Sequence, residues 1–392
     1  MIKRVIFIVA ILSIFFSCSY IGLRKDDMQR VIVTFQNNEW LETAIRTINI
    51  EGISIISKLD LISGVTCYMT ERQQKWLKKV LPVRYIEKDT QVYILAPIPR
   101  PAATTVSEDV PGQELVDWGV KRIRAPEVWS QSTGKGIGIG VIDTGICSSH
   151  PDLIGAVVGG YNTITGGGSY EDDNDHGTYV ASVIAARRNG VGIIGVAPDA
   201  VLYSIKVLDS SGQGWMSDIV KGYQWALEEH ERNEKFNLVN LSLGCYWESE
   251  AMLEAMTKAA YQGMGTVAAT GNDGREEICY PARNEVAICV GASSMEGERV
   301  SWSNYGKELK KNGVLAPGEW ILAANKLGGW QRVSGTSIAT PHVTGALALL
   351  LEMKWAERKF IFAGAGQSST PDLEHGYGII DVRRSLDVMM GE

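Results

Sequence analysis

Three short stretches of the 392-residue chain combine the residue types that acyl transfer needs. Val141-Ile142-Asp143-Thr144-Gly145-Ile146 reads as a buried strand ending in a carboxylate and a tight turn. In Asp175-His176-Gly177-Thr178 a histidine opens a helix. In Ser334-Gly335-Thr336-Ser337-Ile338-Ala339-Thr340-Pro341-His342 a Gly-rich turn delivers Ser337 to the start of a very apolar helix, with Pro341 tolerated in its first turn. A serine hydroxyl is a poor nucleophile until a base takes its proton. A histidine of near-neutral pKa can do so and then protonate the leaving amine. A buried carboxylate fixes the imidazole tautomer and stabilises its charged form. A helix N-terminus points backbone N–H groups toward a developing oxyanion.

The elements that must hold these residues begin near residue 113. Apolar, β-branched runs at Gly138–Ile142, Leu202–Leu208, Leu238–Leu243, Thr266–Ala269 and Val286–Val290 alternate with helical patterns such as Asp218–Glu229 and Glu250–Gln262. Buried parallel strands joined by helices are the expected result, an α/β, doubly wound, mainly parallel sheet flanked by helices. Residues 29–95 form a separate pattern. Val31, Val33 and Phe35 alternate as in a strand, 39–49 look helical, and two strand-like stretches surround Ser57 and Thr66. Thr70 starts a helix with Gln73 placed to complete a capping box, and Trp76, Leu77 and Val80 line its apolar side. A last strand is expected through Val83 and Tyr85 and onward to Ile94. The order is β-α-β-β-α-β, a small α+β, ferredoxin-like unit. Between the two, residues 96–112 carry Pro97, Pro99, Pro101 and Pro111 and read as an exposed linker open to proteolysis.

The three chemical segments, in the order Asp, His, Ser, resemble the signature regions of the subtilisin-like serine proteases. The resemblance covers residues 113–389, and Asp143, His176 and Ser337 match the triad. Ile338 stands where family members commonly carry Met, an apolar exchange. A fourth segment, Thr266 to Gly274, resembles the family's oxyanion-hole loop. By residue type alone Asn272 is a turn asparagine; the resemblance implies that its side-chain amide stabilises the tetrahedral intermediate beside the Ser337 N–H. The resemblance also implies that an extended peptide is bound between Gly212-Gln213-Gly214 and Ser242-Leu243-Gly244 by strand addition, with Leu208 and Leu243 as apolar walls. Ala268, Ala269, Gly271 and Cys279 would frame the pocket for the residue at the cut. Cys279 stands where relatives often have Gly at the pocket base, so the pocket is expected to be shallow and to handle large aromatic side chains poorly. Residues 29–95 resemble the family's inhibitory propeptide, whose tail occupies the cleft until autocatalytic cutting within the linker.

The resemblance further implies a structural Ca²⁺ held by Glu114, Asp152 and Asn189 with the carbonyls of Arg187, Val191 and Ile193. Glu114 departs from the amide side chain common there. No cofactor is expected for catalysis. Glu171, Asp172, Asp173 and Asp175 beside His176 have the composition of a ligand cluster, but neighbouring carboxylates on an exposed loop are expected to be solvated. His342 is read as a hydrogen-bonded core histidine and His150 as structural. Of the six cysteines, Cys147, Cys245, Cys279 and Cys289 could pair, and small buried or half-buried thiols are the preferred reading.

Lys3 and Arg4 precede an apolar run from Val5 to Phe16, too short to span a bilayer comfortably, and residues 1–18 read as a secretory signal. Cys18 resembles the lipid-attachment cysteine of bacterial lipoproteins, although the bulky Phe15 lies three before it; lipidation, ordinary cleavage and an uncleaved anchor all remain open. With a net charge of −7 there is no basic footprint for nucleic acid. The expected partners are protein or peptide substrates and the chain's own propeptide, and the expected state is a secreted monomer. Against the endopeptidase reading stands a peptide-binding pseudoenzyme with the same cleft. A narrow processing role is the alternative to a degradative one.

Overall fold

The structure is a computed structural model and describes residues 28–95, 114–233, 236–354, 358–366 and 370–391. The amino-terminal apolar run, Cys18 and the 96–112 linker lie outside the described residues. Contacts divide the chain into two units, one reaching to Thr90 and including Ser249–Ala255, the other made of Gln91–Glu248 and the chain from Met256.

The first unit runs β1 (Gln29–Phe35), α1 (Asn38–Ile50), β2 (Ile55–Leu59), β3 (Gly64–Met69), α2 (Glu71–Val80), β4 (Val83–Lys88). Its strands form one antiparallel sheet in the order β2-β3-β1-β4. Local chemistry sets the helices. The Asn37 side chain caps α1 by accepting the Trp40 N–H, and Leu41, Ala44 and Ile48 recur on the buried face. At α2 the Thr70–Gln73 capping box is formed, and Trp76 and Leu77 are buried. One expectation needs correction. The last strand does not continue to Ile94; it ends at Lys88. Asp89 is fully buried and its carboxylate takes the Arg30 Nε at 2.6 Å, which closes the ladder against β1. Gln91–Ile94 is a separate strand, β5, of the second unit.

In the second unit β6 (Gly138–Asp143), β7 (Val157–Asn162), α3 (His176–Ala185) and β8 (Val201–Lys206) come first. They are followed by β9 (Gln213–Trp215), α4 (Met216–Asn233), β10 (Phe236–Leu241), β11 (Leu243–Gly244), β12 (Gly265–Ala269), β13 (Ala287–Ser293) and β14 (Gly313–Pro317). A hairpin of β15 (Ile321–Ala324) and β16 (Trp330–Val333) leads into helix α5 (Thr336–Glu352). Seven strands make a parallel sheet in the order β14-β13-β12-β10-β6-β8-β7. All six residues of β6 and all seven of β13 are buried, as strands covered on both faces must be. From β6 the chain passes first to the edge strand β7 and returns to β8 beside β6, then crosses to β10 on the other side and continues outward through β12, β13 and β14. The switch point therefore lies between β6 and β10, and the carboxyl ends there carry Asp143 and Ser242–Gly244. The sheet's two edge strands were not anticipated. β7 contains Gly159 and Gly160, and β14 begins with Gly313 and ends with Pro317, residues that suit edge positions and weaken the strand pattern.

Candidate active site

Asp143 is the last residue of β6 and His176 the first of α3, so the carboxyl end of an interior strand and a helix N-terminus deliver them to one place. Their side chains are buried, and His176 Nδ1 lies 2.8 Å from Asp143 Oδ1. That same oxygen accepts the Thr144 N–H at 2.7 Å. With Nδ1 anchored to the carboxylate, Nε2 is left without a hydrogen-bond partner.

Ser337 is the second residue of α5. Its Oγ donates to the carbonyl of Leu95 at 3.1 Å. Asn272 Nδ2 donates to the same carbonyl, also at 3.1 Å. The orientation of this amide is fixed from behind, because Oδ1 accepts the Thr336 N–H at 2.9 Å and the Thr336 hydroxyl at 2.8 Å. Two donors on separate elements thus converge on one peptide carbonyl.

The segment carrying that carbonyl lies as a strand between two others. β5 pairs antiparallel with β11 on one side, Leu243 opposite Ile94, and with β9 on the other, Val92 opposite Gly214. The Ile94 N–H donates to Gly212 O at 2.9 Å and the Leu95 N–H to Ser242 O at 3.4 Å. The Ser242 hydroxyl in turn donates to Ser337 O at 2.7 Å, tying this edge to the serine's helix. Of the residues expected to bind substrate, Gly212, Gly214, Ser242, Leu243 and Gly244 all lie on residues 91–95. Glycine is needed at two of them. A Cβ on Gly212 would stand 2.8 Å from Ile94 side-chain atoms, and one on Gly244 would stand 3.1 Å from Cys279 Cβ and 3.8 Å from Leu95 Cδ2. Val92 is fully buried. Ala269 ends β12 in the core. Cys279 is buried beside Gly271, and burial pushes its thiol up to about 12. Beyond them Tyr246 donates its hydroxyl to Asp273 and accepts from Asn304 at 2.9 Å; neither Tyr246 nor Asn304 was signalled by the sequence.

The acidic loop before His176 is solvated at Glu171 and Asp173, which are exposed, while Asp172 and Asp175 are half-buried. Asp173 pairs at 2.6 Å with Lys206, whose buried ammonium also donates to Thr144 O and Leu208 O. Asp172 is half-buried, and both its carboxylate oxygens accept hydrogen bonds. Among the described residues no three His, Cys, Asp or Glu side chains form a metal-holding group. The dispersed set is a different case. Glu114 Oε1 accepts the N–H groups of Asn189 and Gly190, and Asp152 Oδ2 accepts from Ile193 N–H and Trp330 Nε1. Asn189 Oδ1 accepts the Val191 N–H, and Arg187 N–H donates to Asp152 O. Asp152 Oδ1 is buried with no partner, and burial together with Glu114 pushes this carboxyl up to about 6. A buried carboxylate oxygen without a partner fits a hard cation.

The remaining readings are structural. Burial lowers His342 to about 4, and its Nδ1 bonds Ile338 O at 3.0 Å; His150 bridges Gly329 O and the Asp152 N–H. Cys147, Cys245, Cys279 and Cys289 are free thiols, three buried and Cys147 half-buried. The Cys245 thiol donates to Trp247 O at 3.3 Å.

A hydroxyl and an amide on one carbonyl, with a carboxylate-anchored imidazole in the same unit, are the equipment of acyl transfer. Comparison with known proteins agrees. Residues 134–378 match the model of the Subtilase family. This chain belongs to the subtilase family. It is similar to an alkaline protease of Alkalihalobacillus alcalophilus, 33% identical over 353 residues that cover 87% of this chain and 86% of that protein. It is also similar to Subtilisin Savinase of Lederbergia lenta, 42% identical over 238 residues covering 60% of this chain and 84% of that one. Subtilisin NAT of Bacillus subtilis subsp. natto is 36% identical over 307 residues, 77% of this chain and 74% of its own. As a subtilase with these relatives, the protein is a serine endopeptidase with the doubly wound α/β fold of its family.

Proposed function

We propose that the protein is an exported endopeptidase made as a self-cutting precursor, with Ser337 as nucleophile, His176 as general base and acid, Asp143 as its orienting carboxylate and Asn272 as oxyanion donor. The Ser337 hydroxyl gives its proton to His176 Nε2 as Oγ bonds the substrate carbonyl carbon. The tetrahedral oxyanion is held by Asn272 Nδ2 and the Ser337 N–H. The imidazolium then protonates the departing amine, leaving an acyl-serine that water hydrolyses by the reverse proton path.

The observation that carries this reading is the Leu95 carbonyl, met by both Ser337 Oγ and Asn272 Nδ2 while residues 91–94 are strand-paired on both flanks. Residues 91–95 lie as a substrate's acyl side would lie. The bond first cut is therefore Leu95–Ala96, at the border of the linker, and residues 29–95 act as the inhibitory propeptide. After the cut the same segment remains as a bound product. Residues 1–18 direct export, with lipid attachment at Cys18 as the variant of that route, and the enzyme works as a monomer on protein or peptide substrates. A structural Ca²⁺, held by Glu114, Asp152, Asn189 and the carbonyls of Arg187, Val191 and Ile193, would supply positive charge to a loop in which the Asp152 Oδ1 is otherwise buried without a partner.

Expression of the Ser337→Ala precursor tests the core of the proposal. It should stay uncut when purified alone, whereas the wild type yields a fragment whose amino-terminal sequence begins at Ala96. Spontaneous trimming of the alanine variant at that bond would refute self-processing.

A further inference from the structure

The residue that precedes His176 has an unusual backbone. Asp175 is a non-glycine residue at φ 127°, a conformation that persists only when its surroundings enforce it. It is also the N-cap of α3 but makes no side-chain cap hydrogen bond. The first three N–H groups of the helix instead find side chains of other residues, the third in addition to the Asp175 carbonyl. His176 N–H donates to Asn174 Oδ1 at 3.2 Å, Gly177 N–H to Thr144 Oγ1 at 3.0 Å, and Thr178 N–H to Asp172 Oδ2 at 3.0 Å.

Asp172 ties this arrangement together. Its Oδ1 accepts the Thr144 hydroxyl at 2.8 Å and the N–H groups of Asn174 at 2.9 Å and Asp175 at 3.1 Å. Its Oδ2 accepts the Thr178 hydroxyl at 2.6 Å as well as the Thr178 N–H. One carboxylate therefore caps the helix that starts with His176, holds the strained residue before it, and reaches the hydroxyl of the residue after Asp143. Thr178 Oγ1 extends the tie by accepting the Cys147 N–H at 3.1 Å. The charge suits its place, since a carboxylate at a helix N-terminus is favoured by the exposed N–H groups and the helix dipole.

We infer that Asp172 is a positioning residue that fixes the His176 imidazole relative to Asp143, with Thr144 and Thr178 as its contacts on the two elements. This rests on the proposed roles of Asp143, His176 and Ser337. Asp172 touches no substrate group, so it sets the rate of proton transfer and leaves peptide binding to β9 and β11. A misplacement of about 1 Å at a reacting group can cost on the order of 10²-fold in rate.

The test measures kcat and KM for a peptide substrate with the mature wild type, Asp172→Asn and Asp172→Ala, at a temperature where circular dichroism shows each folded. Asp172→Ala should lose roughly 10²-fold in kcat with KM within about twofold. Asp172→Asn keeps one acceptor oxygen and should recover part of the loss. Fluorophosphonate labelling of the same samples separates the two levels. If the wild type does not label at Ser337, the proposed mechanism fails. If the wild type labels and Asp172→Ala labels at the same rate with unchanged kcat, the mechanism stands and Asp172 is only structural, whatever the melting temperature does. If Asp172→Ala does not fold, Thr178→Val decides: a several-fold fall in kcat at constant KM supports positioning, and an unchanged kcat overturns it.

Discussion

Shortening the residue at the cut from Leu to Ala perturbs the pocket at one defined point. Leu95 is half-buried, with Cδ2 3.8 Å from where a Cβ on Gly244 would stand. Leu to Ala removes three carbons, each contributing about 0.8 kcal/mol when fully buried, so the full loss is about 2.4 kcal/mol and half of it about 1.2. At about 1.4 kcal/mol per factor of ten, kcat/KM should fall roughly 7- to 50-fold. The assay compares peptides built on residues 91–96, Gln-Val-Tyr-Ile-Leu-Ala, with Leu, Ala or Phe at the fifth position. Phe should also fall below Leu, because Cys279 fills space beside Gly244 and Gly271 that a ring would need. Cys279→Gly should raise Phe relative to Leu. Equal cleavage of the Ala and Leu peptides, or a clear preference for Phe in the wild type, would refute this account of the pocket.

Stripping the proposed Ca²⁺ with EDTA should lower the melting temperature while leaving the Asp143–His176 pair in place. An ion at about a hundredfold over its Kd adds about 2.7 kcal/mol, which for a domain of this size corresponds to roughly 5–10 °C, and an unchanged melting curve would count against the site. His342 is held neutral in the fold, with its pKa lowered to about 4 against 6.5. The unfolded chain takes up this proton first as pH falls, so the His342 contribution is present above pH 6.5 and is lost between 6.5 and about 4, up to about 3 kcal/mol. Denaturant titrations across that window should show a shallower pH slope for His342→Gln, and identical slopes would remove His342 as the cause.

The sequence was legible where one residue type serves one purpose. The buried runs of β6, β10 and β12 announced a parallel sheet, and Thr70 with Gln73 announced a helix start, because a capping box is written in two side chains. Asp143, His176 and Ser337 were readable as chemistry because each sits at an element's end. Burial and partner choice were less legible. Asp172 looks like a solvent-facing charge in the chain, and only the fold brings Thr144 and Thr178 to it; Asp173 does stay exposed, and its pairing with Lys206 is equally invisible in the chain. The break after Lys88 was hidden because Asp89 finds Arg30 fifty-nine residues away. Leu95 gave no signal either: its importance lies in where its carbonyl ends up, which is a property of β9 and β11 and of helix α5, not of the leucine.

The most direct measurement is the site of reaction with a fluorophosphonate. Mature wild-type protein should carry one phosphonyl group, located by peptide mass spectrometry on Ser337, and neither Ser337→Ala nor His176→Ala should be labelled at a comparable rate. An active preparation that carries no label on Ser337, or a His176→Ala variant that labels as fast as wild type, would contradict the assignment of Ser337 as a nucleophile activated by His176.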